Sequence, residues 1–134
     1  MEKKHLHIAA GIIKNSQDEI FITQRHVDSH MGGFWEFPGG KLEQGETPEQ
    51  ALIRELREEV GITVTHWELM DTIQHNFPDR NITLYFFMVD KWEDKPFGKE
   101  GQPFRWVPQS ALIADEFPPV NRSIVAFLTK NNAH

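Results

Sequence analysis

Residues 40–62 read GKLEQGETPEQALIRELREEVGI and carry the strongest pattern in the chain. This stretch predicts a glycine-rich loop that leads into one short acidic helix. Thr47 is a favourable N-cap residue, Pro48 suits the first helical position, and Gln50 stands where the second residue of a capping box belongs. Gly61 follows the last apolar residue and predicts the end of the helix there.

Three glutamates of this predicted helix, Glu55, Glu58 and Glu59, fall within an arc of about 100° on a helical wheel. The neighbouring arc is apolar and carries Leu52, Ile53, Leu56 and Val60. Carboxylates this close repel one another, whereas Mg²⁺ prefers oxygen ligands and commonly shares its shell with substrate phosphates. The pattern therefore indicates a metal site, and the alternative is a solvated charged face in which Arg54 pairs with Glu58.

The spacing of these residues resembles the Nudix box, in which a glycine and a glutamate precede the sequence Arg-Glu-aliphatic-x-Glu-Glu-x-Gly-aliphatic. The matching positions are Gly40, Glu46, Arg54, Glu55, Leu56, Glu58, Glu59, Gly61 and Ile62. A chance match somewhere in the chain has a probability on the order of 10⁻⁸ at average residue frequencies. The stretches FPDRNITL, KEGQP and DEFPPVN extend the resemblance to the MutT branch of the family, which hydrolyses oxidised purine nucleoside triphosphates.

Length and composition predict one globular domain that spans residues 1–134. The chain has no cysteine, which excludes disulfides and thiolate metal sites. The N-terminal stretch lacks a signal-peptide core and no apolar run is long enough to span a membrane, so we expect a cytoplasmic protein without a membrane partner. The net charge of −6 argues against binding to nucleic acid polymers. Because no additional apolar helix face needs a partner, we expect a monomer.

The apolar patterns predict an α/β fold. Residues 5–14 and 19–25 are predicted to form one hairpin, and residues 63–77 and 82–92 a second, longer antiparallel hairpin. Further predicted elements are short strands at 35–37 and 104–107, a helical turn at 110–113 and a final amphipathic helix at 121–130. The resemblance implies that these elements form a Nudix-type α/β/α sandwich, with a mixed β-sheet between the helices.

The resemblance also implies a reaction in which water attacks a phosphorus of the triphosphate chain and releases a nucleoside monophosphate and pyrophosphate. It implies Mg²⁺, with Mn²⁺ as a substitute, and the residues expected to bind the metal are Gly39, through its backbone carbonyl, and Glu55, Glu58, Glu59 and Glu100. The catalytic residues are expected to be Glu55, Glu59 and Glu100, and the sequence leaves open whether Glu55 or Glu100 accepts the proton of the water. Arg54 is expected to orient a carboxylate, and Glu46 to be structural or to lie behind the ligands.

The substrate-binding residues that the resemblance implies are Arg25, His30, Glu36, Phe37, Pro38, Gly39, Phe77, Arg80 and Asn121. The amide of Asn121 can accept a hydrogen bond from N7–H of 8-oxoguanine and donate one to O6, and its alternative role is the N-cap of the last helix. Phe37 and Phe77 are expected to flank the base, unless they are core aromatics. Trp35 is bulkier than the residue that the resemblance leads us to expect at the pocket entrance.

These features favour a Mg²⁺-dependent pyrophosphohydrolase that removes 8-oxo-dGTP from the nucleotide pool and so prevents mutation. One alternative keeps the reaction and changes the substrate to another nucleoside triphosphate or a nucleoside diphosphate derivative. A second alternative is a nucleotide-binding module without turnover, although such modules commonly lack the box carboxylates that are all present here.

Overall fold

The computed structural model describes residues 4–29 and 31–130. Its strands are β1 (Lys4–Lys14), β2 (Glu19–Gln24), β3 (Trp35–Glu36), β4 (Gly39–Lys41), β5 (Thr63–Asn76), β6 (Arg80–Glu93) and β7 (Phe104–Pro108). Helix α1 spans Pro48–Val60 and helix α2 spans Arg122–Lys130. Short 3₁₀ turns at Gln109–Ala111, Ala114–Glu116 and Pro119–Asn121 connect β7 to α2.

The strands form one mixed sheet in the order β3-β2-β1-β6-β5, to which β4 is added beside β1 and β7 beside β2. Strands β1 and β6 are parallel, and the other strand pairs are antiparallel. The two predicted hairpins are therefore confirmed as β1–β2 and β5–β6. Because β1 and β6 lie side by side in parallel, the two hairpins share one sheet.

The two faces of this sheet are covered by different helices, which confirms the predicted α/β/α sandwich. Successive residues of a strand point to opposite faces, and the buried residues of β1 follow that rule. Ala9 and Ile13 pack in one core with α1, whereas Ala10 and Ile12 pack in a second core with α2. The buried helix residues are Ala51, Leu52, Leu56 and Val60 of α1, and Ile124, Val125 and Leu128 of α2.

Strands β2 and β4 pair with different parts of the same edge of β1. The residues around Gly39, where the two parts meet, form the loop that approaches α1. Ile13 and Lys14 pair with β2, while Ile8 to Ala10 pair with β4. Between them the backbone N–H of Gly11 donates to the carbonyl of Pro38 at 2.8 Å. A Cβ on Gly39 would lie 2.0 Å from the carbonyl oxygen of Ala9, so only glycine fits this close approach.

Strand β4 was not expected from the sequence, which predicted only a glycine-rich loop before the acidic helix. Its glycines carry no side chains, so they produce no alternation of apolar and polar residues that would indicate a strand. Strand β6 begins at Arg80, which makes the turn after β5 shorter than predicted. Neither helix of the described chain is long and apolar enough to span a membrane.

Candidate active site

Helix α1 begins and ends where its sequence predicts. The Thr47 hydroxyl accepts a hydrogen bond from the Gln50 N–H at 3.1 Å, and the Gln50 side chain accepts one from the Thr47 N–H at 2.9 Å. Gly61 ends the helix in the left-handed conformation, with φ of 74°. This reciprocal cap fixes the first turn of α1 against the loop that follows β4.

Arg54 holds several groups of the acidic flank in place. Its guanidinium donates to both carboxylate oxygens of Glu46, at 2.7 and 2.9 Å, and to Glu55 at 3.0 Å. It also donates to the backbone carbonyl of Lys41 at 3.0 Å and contacts Glu58 at 3.3 Å. The hydrogen bonds from Arg54 lower the pKa of Glu46 to about 2, so Glu46 stays ionised as the anchor of this arginine. The expected orientation of a carboxylate and the expected pair with Glu58 therefore coexist.

Glu59 is the most perturbed carboxyl group of the site. Burial, together with the negative charges of Glu36, Glu55 and Glu100, raises its pKa to about 8, although one hydrogen bond opposes the shift. In that bond the backbone N–H of Gly39 donates to Oε2 of Glu59 at 2.8 Å. The carboxyl groups of Glu36, Glu55 and Glu100 thus interact electrostatically with that of Glu59, and a bound cation would offset the repulsion among them.

Glu55 lies directly over the loop before the helix. A Cβ on Gly40 would lie 2.3 Å from the carboxyl carbon of Glu55, so the absence of a side chain at this position leaves the space that Glu55 occupies. Burial raises the pKa of Glu55, and the neighbouring Arg54 opposes that shift. Glu58 is more open, with 54% of its side chain exposed, and therefore lies at the rim of the cluster.

The loop that carries Glu100 is fastened to the C-terminal end of α1 by Gln102. The Gln102 side chain accepts a hydrogen bond from the Glu100 N–H at 2.9 Å and donates one to the Glu59 carbonyl at 3.2 Å. The Lys99 N–H also donates to that carbonyl, at 3.1 Å. The structure thus brings Glu100 to α1, the helix that carries the Nudix-box glutamates and is called the box helix below, as predicted. Gln102, which fastens this loop, was not identified from the sequence. Only its position two residues after Glu100 could have indicated it.

The donor chemistry of this cluster fits a hard divalent cation. The groups that surround Glu59 are carboxylates, and oxygen is the donor that Mg²⁺ and Mn²⁺ prefer. Among the described residues, no three His, Asp or Glu side chains lie close enough together to coordinate one metal ion as they stand. The residues therefore fit the cation by charge and donor type.

A cleft of about 240 Å³ lies beside the carboxylates. Its walls are formed by Thr23, Gln24, Arg25, His26, Ser29, Glu36, Glu59, Glu100 and Gln102. Arg25 donates to Glu36 at 2.9 Å, and burial raises the pKa of Glu36 while Arg25 opposes the shift. The predicted residues Arg25 and Glu36 thus lie in one cleft with Glu59 and Glu100. His30 lies outside the described residues.

Phe37 belongs to the core beneath α2. It is only 4% exposed, and its ring lies 5.1 Å from that of Phe117 and 6.2 Å from that of Phe86, measured between centroids. In the structure the Phe37 ring is therefore a core aromatic, which is the alternative that the sequence left open. The neighbouring Pro38 contributes its carbonyl to the hydrogen bond with Gly11.

Phe77 and Arg80 lie together at the turn between β5 and β6. The Arg80 guanidinium lies 5.9 Å from the centroid of the Phe77 ring, and that ring is stacked on His75. Arg80 pairs with Lys4 of β1, whereas Gly39 pairs with Ala10, six residues further along the strand. At about 3.3 Å per residue the two positions are about 20 Å apart along β1. Phe77 and Arg80 are therefore remote from the carboxylate cluster.

Asn121 is not the N-cap of the last helix, and this alternative is wrong. It is the final residue of the 3₁₀ turn Pro119–Asn121, and the chain continues in helical conformation through Arg122 into α2. The position that precedes this continuous helical segment is Pro118, whose carbonyl accepts a hydrogen bond from the Asn121 N–H at 2.9 Å. The capping role therefore does not explain the asparagine.

Comparison with known proteins agrees with this geometry. The family model of the NUDIX domain matches residues 9–127. The chain belongs to the Nudix family. A relative from Escherichia coli K12 that is named 8-oxo-dGTP diphosphatase is 55% identical over 127 residues, which cover 95% of this chain and 98% of the relative. A protein of the same name from Proteus vulgaris is 61% identical over 101 residues, which cover 75% of this chain and 90% of that protein.

A solved Nudix structure has the same fold at high similarity. It comes from a study of MutT from Aliivibrio salmonicida and Vibrio cholerae. The TM-score is 0.82 and the sequence identity is 41%, with 94% of this chain and 97% of the other covered. The predicted membership in the Nudix family and the predicted fold are therefore confirmed. Nudix hydrolases generally need a divalent metal ion, which agrees with the acidic cluster around Glu59.

Proposed function

We propose that this Nudix hydrolase is a Mg²⁺-dependent pyrophosphohydrolase that converts 8-oxo-dGTP to 8-oxo-dGMP and pyrophosphate. The observation that carries the proposal is the buried Glu59 of the box helix, surrounded by the carboxylates of Glu36, Glu55 and Glu100. The names of the relatives that are 55% and 61% identical support the substrate. We further propose that residues 1–134 act as one domain and that the protein is a cytoplasmic monomer, without a nucleic acid polymer or a membrane as partner.

The metal-binding residues in this proposal are Gly39, Glu55, Glu58, Glu59 and Glu100. A bound divalent ion would neutralise phosphate charge and lower the pKa of a water molecule. This resolves the apparent conflict between a chain of net charge −6 and a polyanionic substrate. Mn²⁺ has the same preference for oxygen donors and is the expected substitute.

The chain's own residues would position and deprotonate the attacking water. Its oxygen forms a bond to a phosphorus, the anhydride bond between the α- and β-phosphates breaks, and pyrophosphate leaves with the electron pair. The proton of the water passes to Glu55 or Glu100. Glu55 is held by Arg54 at 3.0 Å, and burial raises its pKa, which makes the carboxylate a stronger proton acceptor. Glu100 is held through its backbone by Gln102.

The remaining residues would bind the nucleotide. Arg25 in the cleft provides a positive charge for the phosphates or sugar, and we place the loop residue His30 near the nucleotide as well. Phe77 and Arg80, about 20 Å along the sheet from Gly39, would contact the base end of the substrate. Asn121 would accept from N7–H of 8-oxoguanine and donate to O6, a pair of bonds that ordinary guanine cannot make.

The decisive experiment measures pyrophosphate release from 8-oxo-dGTP, dGTP and dATP below saturation, with and without Mg²⁺. We expect metal-dependent hydrolysis with a strong preference for 8-oxo-dGTP. Hydrolysis without that preference would keep the Nudix reaction and refute the substrate. Absence of turnover on all three nucleotides would refute the proposed activity and direct the search to nucleoside diphosphate derivatives.

A further inference from the structure

Three residues that are distant in sequence meet where β3 and β7 both flank β2. They are Trp35 of β3, Arg105 of β7 and Glu116 of the 3₁₀ turn Ala114–Glu116. The guanidinium carbon of Arg105 lies 4.1 Å from the centroid of the Trp35 ring. Its Nη2 donates to Oε1 of Glu116 at 2.6 Å. Arg105 thus joins the tryptophan and the glutamate, and we call this trio the Trp35–Arg105–Glu116 clamp.

The clamp connects the two segments that lead to proposed substrate residues. Trp35 directly precedes Glu36 of the cleft, and Glu116 directly precedes Phe117 and the segment that ends at Asn121. Below the clamp, the stack between Phe37 and Phe117 links the same two segments within the core. An open cleft of about 400 Å³ separates their surfaces and is lined by Gly32, Gly33, Phe34, Trp35, Asp115 and Glu116.

The clamp is too weak to hold the fold together. The side chains of Arg105 and Glu116 are 41% and 37% exposed, and ion pairs and cation–π contacts at exposed sites contribute little to global stability. Phe117, by contrast, is fully buried and contributes more to global stability than the clamp does. The contribution of Arg105 is therefore local, since it restricts how far the surface residues 114–116 can move away from Trp35.

We propose that Arg105 is a positioning residue for base recognition. Through the clamp it restricts residues 114–116, which lead into the segment that carries Asn121, relative to Trp35 beside the substrate site. The proposal rests on the proposed function. A segment that is already ordered in the free protein loses less conformational entropy when substrate binds. Removal of the clamp therefore weakens substrate binding while the phosphate chemistry, which depends on the carboxylates of α1, is unchanged.

The test compares Arg105→Met, which keeps an apolar stem and loses the charge, with Glu116→Gln, which disrupts only the ion pair. Arg57→Met is the matched control, because Arg57 is an exposed arginine with one hydrogen bond, to Thr63. We expect KM for 8-oxo-dGTP to rise about 3- to 10-fold in Arg105→Met and less in Glu116→Gln, with kcat unchanged in both. Arg105→Lys keeps the cation and should recover part of the loss.

Hydrogen exchange provides a readout that does not depend on catalysis. The amide of Phe117, which donates to Ala114, and that of Asn121, which donates to Pro118, report on the clamped segment. We expect both amides to exchange faster in Arg105→Met, whereas the α1 amide of Ala51 should not change.

Unchanged exchange and unchanged KM in Arg105→Met would overturn the proposal, as would a fall of kcat at constant KM. If Arg105→Met does not fold, Glu116→Gln decides, with the same expectations at smaller amplitude. If the wild-type enzyme does not hydrolyse 8-oxo-dGTP, the proposed function fails, and faster local exchange then supports the clamp alone.

Discussion

Replacing Glu59 with glutamine should lower the hydrolytic activity but raise the stability of the metal-free protein above about pH 4.5. Burial raises the pKa of Glu59 from its ordinary value of 4.5 to about 8. Below pH 4.5 the carboxyl group is neutral in both states and has no effect. As pH rises from 4.5 to 8 it ionises first in the unfolded chain, so the folded state loses stability, and above pH 8 the loss stays constant.

The size of this effect follows from the shift in pKa. One pKa unit corresponds to about 1.4 kcal/mol, so full ionisation of Glu59 destabilises the metal-free fold by about 5 kcal/mol. Glutamine has the same shape, does not titrate, and can still accept the hydrogen bond from Gly39. The stability of Glu59→Gln relative to wild type should therefore increase by about 3 kcal/mol between about pH 5.5 and about pH 8.5.

Urea unfolding in excess EDTA measures this difference at each pH. Glu58→Gln is the control, because it removes one carboxylate of the same helix from a side chain that is 54% exposed. Added Mg²⁺ should stabilise the wild-type protein and have little effect on Glu59→Gln, which should also lose most hydrolytic activity. If the difference in stability between wild type and Glu59→Gln does not vary with pH, the pKa of Glu59 is not raised by burial and by neighbouring carboxylates, and the reasoning is refuted.

Three other substitutions test separate parts of the site. Thr47→Ala removes the reciprocal cap of α1 and should lower the free energy of unfolding by about 1 kcal/mol in urea titrations; no change would mean that the cap is dispensable. Asn121→Ala should reduce the ratio of kcat/KM for 8-oxo-dGTP to that for dGTP about tenfold, and an unchanged ratio would refute the base contact. Gln102→Met should lower kcat about tenfold and leave KM within about twofold, because it releases the Glu100 loop from α1; a normal kcat would contradict this role.

The box helix could be predicted from sequence almost completely, because its determinants are local. Thr47, Gln50 and Gly61 act within five residues of their partners, and the 3.6-residue period separates the core flank from the acidic flank. The burial of Leu52 and Leu56 beside the carboxylates follows from the same period. Local patterns of this kind need no knowledge of how the rest of the chain folds.

The features that sequence analysis missed all depend on pairing between distant residues. Strand β4 exists because Gly39 approaches the backbone of Ala9 about thirty residues away, and no periodicity records such an approach. Gln102 becomes important only once its loop packs on the end of α1. Arg105 reads as an ordinary surface residue until β7 pairs with β2 and places it over Trp35.

The carboxylates of the cluster are each fixed by a different part of the scaffold. Glu59 is held by the N–H of Gly39, Glu55 by Arg54, and Glu100 by the backbone contact of its loop with Gln102. Arg54 and the N–H of Gly39 stabilise the ionised carboxylates only in part, because burial and the neighbouring negative charges still raise the pKa values of Glu55 and Glu59. A cation that binds in the cluster would therefore stabilise the ionised carboxylates, whose positions the scaffold already restricts.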